Sequence, residues 1–162
     1  MDTHNKLYLA GDLLVEAARI YESGNSNIEF AKSILLAGAV IGIVSPYLEE
    51  QNIKSSHVEL SELAAQLRNI DLSQLNECER RKEIGNSINF YRMTYNSLKH
   101  AGKKDKVKPS QDLTLEANLK EEASYLIEHA ISDFRKIPFT QIQINHTLPD
   151  KLLTLLQSFL VR

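Results

Sequence analysis

The fold is decided by residues 6–44, which read KLYLAGDLLVEAARIYESGNSNIEFAKSILLAGAVIGIV. The apolar residues of the first half recur three and four positions apart, as on one face of an α-helix: Leu7, Ala10, Leu14, Ala17, Ala18 and Tyr21. Gly24 and Asn25 then end this helix. The second half contains the most apolar run of the chain, Ile34–Val44, which is typical of a buried helix. Two helices joined by a short turn predict an all-α fold.

The same periodicity predicts further helices along the chain. We expect a second helix over 27–44, ended or kinked by Pro46, and four more over 56–69, 76–101, 114–136 and 149–160. Mostly short loops favour an antiparallel bundle of five to six helices. The expected organisation is a single domain, 1–162, with a core over 3–136 and a C-terminal extension over 137–162. Within this extension, residues 139–146 fit a short strand or a loop equally well.

Two local patterns make more detailed predictions. Gly38 and Gly42 are small residues inside the apolar run, so we expect both at a close contact with a neighbouring helix. Ser56 and Glu59 have the spacing of a capping box at the start of the third helix. This pattern predicts that His57, between them, is exposed.

Composition limits the classes of protein to consider. Cys78 is the single cysteine, so an intramolecular disulfide and a cysteine-rich zinc site are excluded and a reducing cytosol is favoured. The N-terminal residues lack a signal-peptide pattern, and the 11 residues of Ile34–Val44 are too few to span a bilayer. No histidine or carboxylate set has metal-ligand spacing. We therefore expect a cytoplasmic protein with no cofactor, no metal and no membrane association.

Charge is unevenly distributed along the chain. The whole protein has a net charge of −2, whereas residues 78–108 hold nine basic residues against three acidic ones. The basic residues are Arg80, Arg81, Lys82, Arg92, Lys99, Lys103, Lys104, Lys106 and Lys108. A local positive excess favours binding of an anion, such as a nucleotide, a nucleic acid or an acidic protein. A solvated helix face followed by a lysine-rich loop is the alternative.

The predicted helix over 76–101 carries the candidate site. At 100° per residue, one face has an apolar seam for the core: Ile84, Ile88, Tyr91, Tyr95 and Leu98. A second row, at steps of three and four residues, lies on the flank of this seam: Asn89, Arg92, Asn96 and His100. Asparagine is a mediocre helix former, and local conflicts of this kind are typical of functional sites.

The residues of this second row suggest a specific chemistry. His100 can exchange a proton near neutral pH, and Arg92 can hold a phosphate with its planar guanidinium group. Asn96 can orient the imidazole or bind a ribose hydroxyl. The catalytic candidates are therefore His100, Arg92 and Asn96, with anion-binding candidates at Asn89, Lys99, Lys103, Lys104, Lys106 and Lys108. Alternatively, Asn96 and His100 bond to each other or cap helix ends.

The stretch FYRMTYNSLKHAG (90–102), the basic loop after it and the helix TLEANLKEEASYLIEHAISDF (114–134) resemble the HEPN superfamily. Members of this family have an arginine, often a polar residue after it, then four to six residues and a histidine near a helix end. Here seven residues separate Arg92 from His100, and Met93 follows the arginine. The resemblance covers roughly residues 78–136, and assigns His100 by its position and Arg92 by its place in the same row.

The resemblance implies a small all-α bundle that forms a homodimer and binds RNA or a nucleotide. Many members are metal-independent ribonucleases or binding partners in toxin–antitoxin, phage-defence and other stress systems. The departures in the motif bear on cleavage more than on binding. Two alternatives remain open: a non-enzymatic helical module that binds a partner protein, and a small-molecule pocket between the second and fourth helices.

Overall fold

The computed structural model describes residues 3–100, 108, 110, 112–139 and 150–158. In these residues it contains seven helices: α1 (Lys6–Ser23), α2 (Asn27–Glu50), α3 (Ser56–Leu67), α4 (Glu77–Tyr91), α5 (Met93–Lys99), α6 (Leu119–Arg135) and α7 (Asp150–Ser158). The all-α class is confirmed for the described residues, none of which lies in a strand. The arrangement as one antiparallel bundle is not established. Residues 140–146, expected as a strand or loop, lie outside the described part.

Side-chain caps explain where several helices begin. The side chain of Asn5 accepts hydrogen bonds from the backbone of Leu7 at 2.8 Å and of Tyr8 at 3.4 Å. Asn76 and Glu79 form the capping box that their spacing predicts, each side chain bonding to the other's backbone N–H. These bonds satisfy N–H groups that the first turn of a helix leaves without a partner.

Of the two effects predicted for Pro46, an end or a kink, an end of α2 is not observed. The helix continues through Pro46 to Glu50. Proline normally costs a helix the bond to the carbonyl four residues earlier, which here belongs to Gly42. Gly42 and Pro46 are both exposed, so water can reach this carbonyl and the interruption is tolerated.

The continuous α2 is longer than the apolar run suggested. The helix has 24 residues, and an 18-residue window of it has a mean hydropathy of 1.8, so it is long and apolar enough to cross a bilayer, judged by length and composition alone. The buried core helix of a globular unit passes the same test. In this structure α2 packs against α1 and α6.

The chain divides into two compact units. The first joins the residues up to Ile53 with those from Glu116 onward, and contains α1, α2, α6 and α7. Its core consists of fully or nearly fully buried apolar side chains, among them Leu14, Ile34, Val44, Leu126, Ile131 and Phe134. The Ser33 hydroxyl, early in α2, donates to the carbonyl of Ala17, late in α1, at 2.8 Å. These two helices are therefore antiparallel.

The carboxyl-terminal ends of α2 and α6 lie together. The hydroxyl of Ser45 donates to a carboxylate oxygen of Asp133 at 3.2 Å. Both residues lie near the last turn of their helices, so α2 and α6 run in the same direction. Two neighbouring elements that run in the same direction need a long connecting segment between them. The second unit lies in the sequence between α2 and α6 and provides this segment.

Glycines mark one close approach in the first unit. A Cβ atom at Gly11 of α1 would lie 2.7 Å from Cδ2 of Leu152 in α7 and 3.4 Å from the ring of Phe134 in α6. Gly38 is buried, as expected for a helix contact, but Gly42 is exposed. The prediction for Gly42 is therefore wrong, because it faces away from the side of α2 that carries the buried residues.

The second unit, Lys54–Leu115, contains α3, α4 and α5. The ring of His57 stacks on that of Tyr91 with 6.1 Å between centroids, and the Arg68 guanidinium binds Glu83 at 2.6 Å. His57 is buried, so its predicted exposure is wrong. The N-cap of α3 is Ser55, one residue before the expected capping box. His57 lies on the side of α3 that packs against Tyr91 of α4.

Candidate functional site

The predicted helix over 76–101 is interrupted at Arg92. α4 ends at Tyr91 and α5 begins at Met93, with Arg92 between them at φ −106° and ψ 14°. The single long helix is therefore a wrong prediction. Asparagine, aromatic and β-branched residues crowd this stretch, and these residues lower helix propensity because they compete for the backbone or lose side-chain freedom.

The interruption is local, and it preserves the row of candidate residues. The Arg92 N–H donates to the carbonyl of Ile88 at 3.0 Å, and the Asn96 N–H donates to that of Arg92 at 2.9 Å. The His100 N–H donates to the carbonyl of Asn96 at 3.0 Å. These bonds continue the helical hydrogen-bond pattern from Arg92 to the N–H of His100, so Arg92 and Asn96 lie one turn apart on the same side.

Two positive side chains of this site lie at one aromatic ring. The guanidinium carbon of Arg92 is 5.0 Å from the ring centroid of Tyr95, and the Lys99 ammonium is 5.7 Å from it. Both distances fall within the range of about 6 Å for a cation–π contact. Tyr95 is only 7% exposed. A buried ring thus holds two positive charges no more than about 11 Å apart.

His100 lies at the end of this arrangement. It follows α5 in an extended conformation, with φ −136° and ψ 140°, and it is exposed. Asn96 is half-buried one turn earlier. Within the described part of the chain, no side-chain hydrogen bond joins Asn96 to His100. The bond between these two residues runs from the His100 N–H to the Asn96 carbonyl. The alternative in which these two side chains satisfy each other is therefore not observed.

The remaining anion-binding candidates are spread around this centre. Asn89 is exposed on the last turn of α4, and Lys108 is exposed beyond α5. Lys103, Lys104 and Lys106 lie outside the residues that the structure describes. Arg92 and Lys99 therefore lie at the ring of Tyr95, and Asn96 and His100 belong to the same helical segment. We call these five residues the α5 surface.

Charge pairing separates the α5 surface from the rest of the basic segment. In α4, Arg81 binds Glu77 at 2.5 Å, and Arg80 reaches Glu62 of α3 at 3.3 Å. These exposed ion pairs contribute little stability, but they offset the positive charge locally. Residues 84–100 contain no aspartate or glutamate. Arg92 and Lys99 thus lie in a stretch of sequence that carries no carboxylate of its own, unlike Arg80 and Arg81.

The second unit also has an open groove, and it is not formed by the predicted site. Its volume is about 610 Å³, and it lies at the turn between α3 and α4. The residues that line it include Gln66, Asp71 and Arg80, and none of the predicted site residues. The exposed His100 is thus not a residue of this groove.

A separate polar group lies between α2 and α6 in the first unit. Asp133 is fully buried and accepts the hydrogen bond from Ser45. One turn earlier, His129 lies against the ring of Tyr125 with 4.3 Å between centroids. Burial lowers the pKa of His129, and the negative charges of Asp133 and Glu128 oppose this shift.

Sequence reasoning missed the role of Tyr95, which it placed in the apolar seam. The spacing contained the signal, because Arg92 and Lys99 lie three residues before and four residues after Tyr95, on adjacent turns.

Comparisons with protein-family models, with curated proteins and with solved structures found no match for the chain.

Proposed function

We propose that the protein binds RNA or a nucleotide at the α5 surface, in the manner of a HEPN-like helical bundle. The observation that carries this proposal is the pair of cations, Arg92 and Lys99, held at the ring of Tyr95. Phosphates need several positive donors at fixed positions, and a planar guanidinium beside an ammonium supplies them.

The stretch of sequence around these cations supports an anionic ligand, because residues 84–100 contain no aspartate or glutamate. Two like charges at one ring repel each other, and phosphate groups bound to them would offset this repulsion. The amide of Asn96 then lies beside the phosphate site, where it can bond to a ribose hydroxyl.

The catalytic form of this proposal assigns proton transfer to His100. As a general base its imidazole would take the proton of a ribose 2′-hydroxyl, whose oxygen attacks the adjacent phosphate. The bond from phosphorus to the 5′-oxygen then breaks, and that oxygen leaves with a proton from a second acid. Arg92 and Lys99 would stabilise the extra negative charge on the phosphate. A homodimer, as the resemblance implies, would bring a second His100 as that acid.

The proposal is tested with purified protein and mixed RNA in the presence of EDTA, at low salt. We expect wild type to bind RNA, and the Arg92→Gln/Lys99→Gln variant to bind at least tenfold more weakly. His100→Ala should keep binding and lose any cleavage that the wild type shows. Absence of RNA and nucleotide binding by wild type at low salt would refute the proposal. Cleavage that persists in His100→Ala would refute the catalytic assignment alone.

A second candidate function is a module that binds a partner protein. Leu63 and Leu67, one turn apart on α3, are 50% and 77% exposed. Exposed apolar ridges of this kind are typical of protein interfaces. Under this second proposal, Leu63→Lys/Leu67→Lys would abolish binding to the partner and leave RNA binding unchanged, so the two functions are separable by experiment.

A further inference from the structure

One side of α2 is apolar and exposed along most of its length. The helix packs against α1 and α6, and its buried residues, from Phe30 to Leu48, lie together on one side. Of an apolar 18-residue window of α2, however, only 44% is buried. The core of the first unit therefore accounts for less than half of the apolar character of α2, and the opposite side requires a separate explanation.

The residues of this opposite side recur at alternating steps of four and three. At 100° per residue they fall within an arc of about 100°, away from the buried residues: Ile28, Lys32, Leu35, Ala39, Gly42, Pro46 and Glu49. All are exposed except the half-buried Ala39, and Ile28 is 63% exposed. Steps of four and three form the seam through which two helices pack in a coiled coil. We call these seven residues the α2 seam.

The composition of the α2 seam is arranged about its centre. Its two central residues, Ala39 and Gly42, are small, and small side chains allow two helices to approach closely. The next seam residue on either side is apolar. Beyond these, the seam carries one charge of each sign, Lys32 before the centre and Glu49 after it, and residues 33–48 contain no charged residue.

We infer that the α2 seam binds a second copy of this chain, as an antiparallel pair of α2 helices related by a two-fold axis. With the axis between Ala39 and Gly42, each of these residues lies opposite the other residue in the second copy. Lys32 of each copy then lies opposite Glu49 of the other, seven residues from the central pair at either end. A two-fold axis repeats every contact, so the interface contains two such charge pairs.

Charge favours this occupant and this direction. A parallel pair would place Lys32 against Lys32 and Glu49 against Glu49, which like charges oppose. A bilayer would receive the same ammonium and carboxylate without a partner, at a large cost in free energy. The antiparallel pair also places opposite ends of the two helix dipoles together. The α2 seam belongs to the first unit and the α5 surface to the second, so this inference does not depend on RNA binding.

The test measures the mass of the full chain by sedimentation equilibrium at tens of micromolar, without RNA. We expect wild type to have twice the monomer mass of 18.4 kDa. Lys32→Glu and Glu49→Lys each replace two attractive charge pairs by two repulsive ones, so the dissociation constant should rise about 5- to 30-fold. The double variant Lys32→Glu/Glu49→Lys exchanges the two charges and should restore association. Lys120→Glu, the same change at an exposed lysine of α6, is the control and should associate as wild type does.

Circular dichroism should show the same helix content in all of these variants, so that a loss of mass reports association and not unfolding. A wild type that stays at 18.4 kDa overturns the inference, and its sedimentation with vesicles of phosphatidylcholine and phosphatidylglycerol would assign the seam to lipid instead. A dimer that Lys32→Glu leaves unchanged uses another surface, which also overturns it. If both single variants weaken the dimer and the double variant does not restore it, the antiparallel pairing is wrong.

Discussion

Removal of the two cations at Tyr95 should change the salt dependence of RNA binding by a calculable amount. Each phosphate that a protein neutralises on a single strand contributes about −0.7 to the slope of log affinity against log salt. Arg92 and Lys99 lie 5.0 and 5.7 Å from the same ring centroid, so we assign one phosphate to each. Arg92→Gln or Lys99→Gln should therefore make the slope about 0.7 less negative, and the double variant about 1.4.

These slopes convert into affinities. Between 50 and 200 mM salt, one phosphate contact of slope about −0.7 accounts for a loss of about 2.6-fold in affinity, and two contacts for about 7-fold. The double variant should thus bind more weakly than wild type at 50 mM salt and approach it as the salt concentration rises. Fluorescence anisotropy with a labelled single-stranded oligonucleotide, measured across this range, gives both quantities.

The matched control is Lys82→Gln, which removes one exposed lysine from the part of α4 that carries carboxylates. It should leave the slope nearly unchanged. Each cation–π contact that is lost lowers stability by about 0.5–1 kcal/mol, so thermal unfolding should confirm that the variants remain folded. A double variant with the parental slope would refute the assignment of phosphates to Arg92 and Lys99. An equal change in Lys82→Gln would show that binding depends on diffuse charge.

Two further predictions concern the first unit. Burial lowers the pKa of His129, so as pH falls below about 6.5 the unfolded chain binds this proton first and the free energy of unfolding decreases. Urea unfolding at pH 7.5 and 5.5 measures this decrease in the free energy of unfolding. The decrease should be smaller in His129→Gln, whereas the control His4→Gln, at an exposed position, should behave as wild type does. An equal pH dependence in wild type and His129→Gln would contradict the prediction. Gly38→Leu should destabilise by about 1–3 kcal/mol through overpacking, whereas Gly42→Ala should stabilise by about 0.5–1 kcal/mol because alanine has less freedom to lose. Thermal melts that rank these two variants in the opposite order would show that their burial is assigned to the wrong sides of α2.

Periodicity predicted helices best where one face alone is apolar. α1 and α6 end within a residue of the expected positions, at Ser23 and Arg135, because a regular stripe and a clear stop define them. α2 was predicted less well, since the effect of Pro46 depends on whether water reaches the Gly42 carbonyl. Sequence spacing gives no direct account of that exposure.

Capping patterns predict backbone bonds better than they predict burial. The Ser56–Glu59 spacing correctly located the start of a helix to within one residue. It failed for His57, because a cap determines which N–H groups are bonded and not which side of the helix is covered. The packing of Tyr91 on this imidazole, 34 positions later in the chain, is a tertiary contact that the local pattern does not contain.

The candidate row was predicted from a helix that does not exist as one piece. It survives because the hydrogen bonds of Arg92 and Asn96 keep helical spacing on both sides of the interruption. The relation of Arg92 and Lys99 to Tyr95 depends on side-chain rotamers, which spacing limits but does not specify. Sequence therefore predicted that Arg92 and Asn96 share a side, and the structure added the ring of Tyr95, which Arg92 and Lys99 both approach.

The net charge of a sequence segment is a poor measure of the field at its surface. Nine basic residues between 78 and 108 suggest one continuous positive region. Arg80 and Arg81 are bound to Glu62 and Glu77, and so contribute little to attraction at a distance. Lys99 lies in a stretch without carboxylates, and its charge remains available to a ligand. The same segment thus contains a part that stabilises contacts within the second unit and a part suited to an anion, and the boundary between them follows the last carboxylate of α4, Glu83.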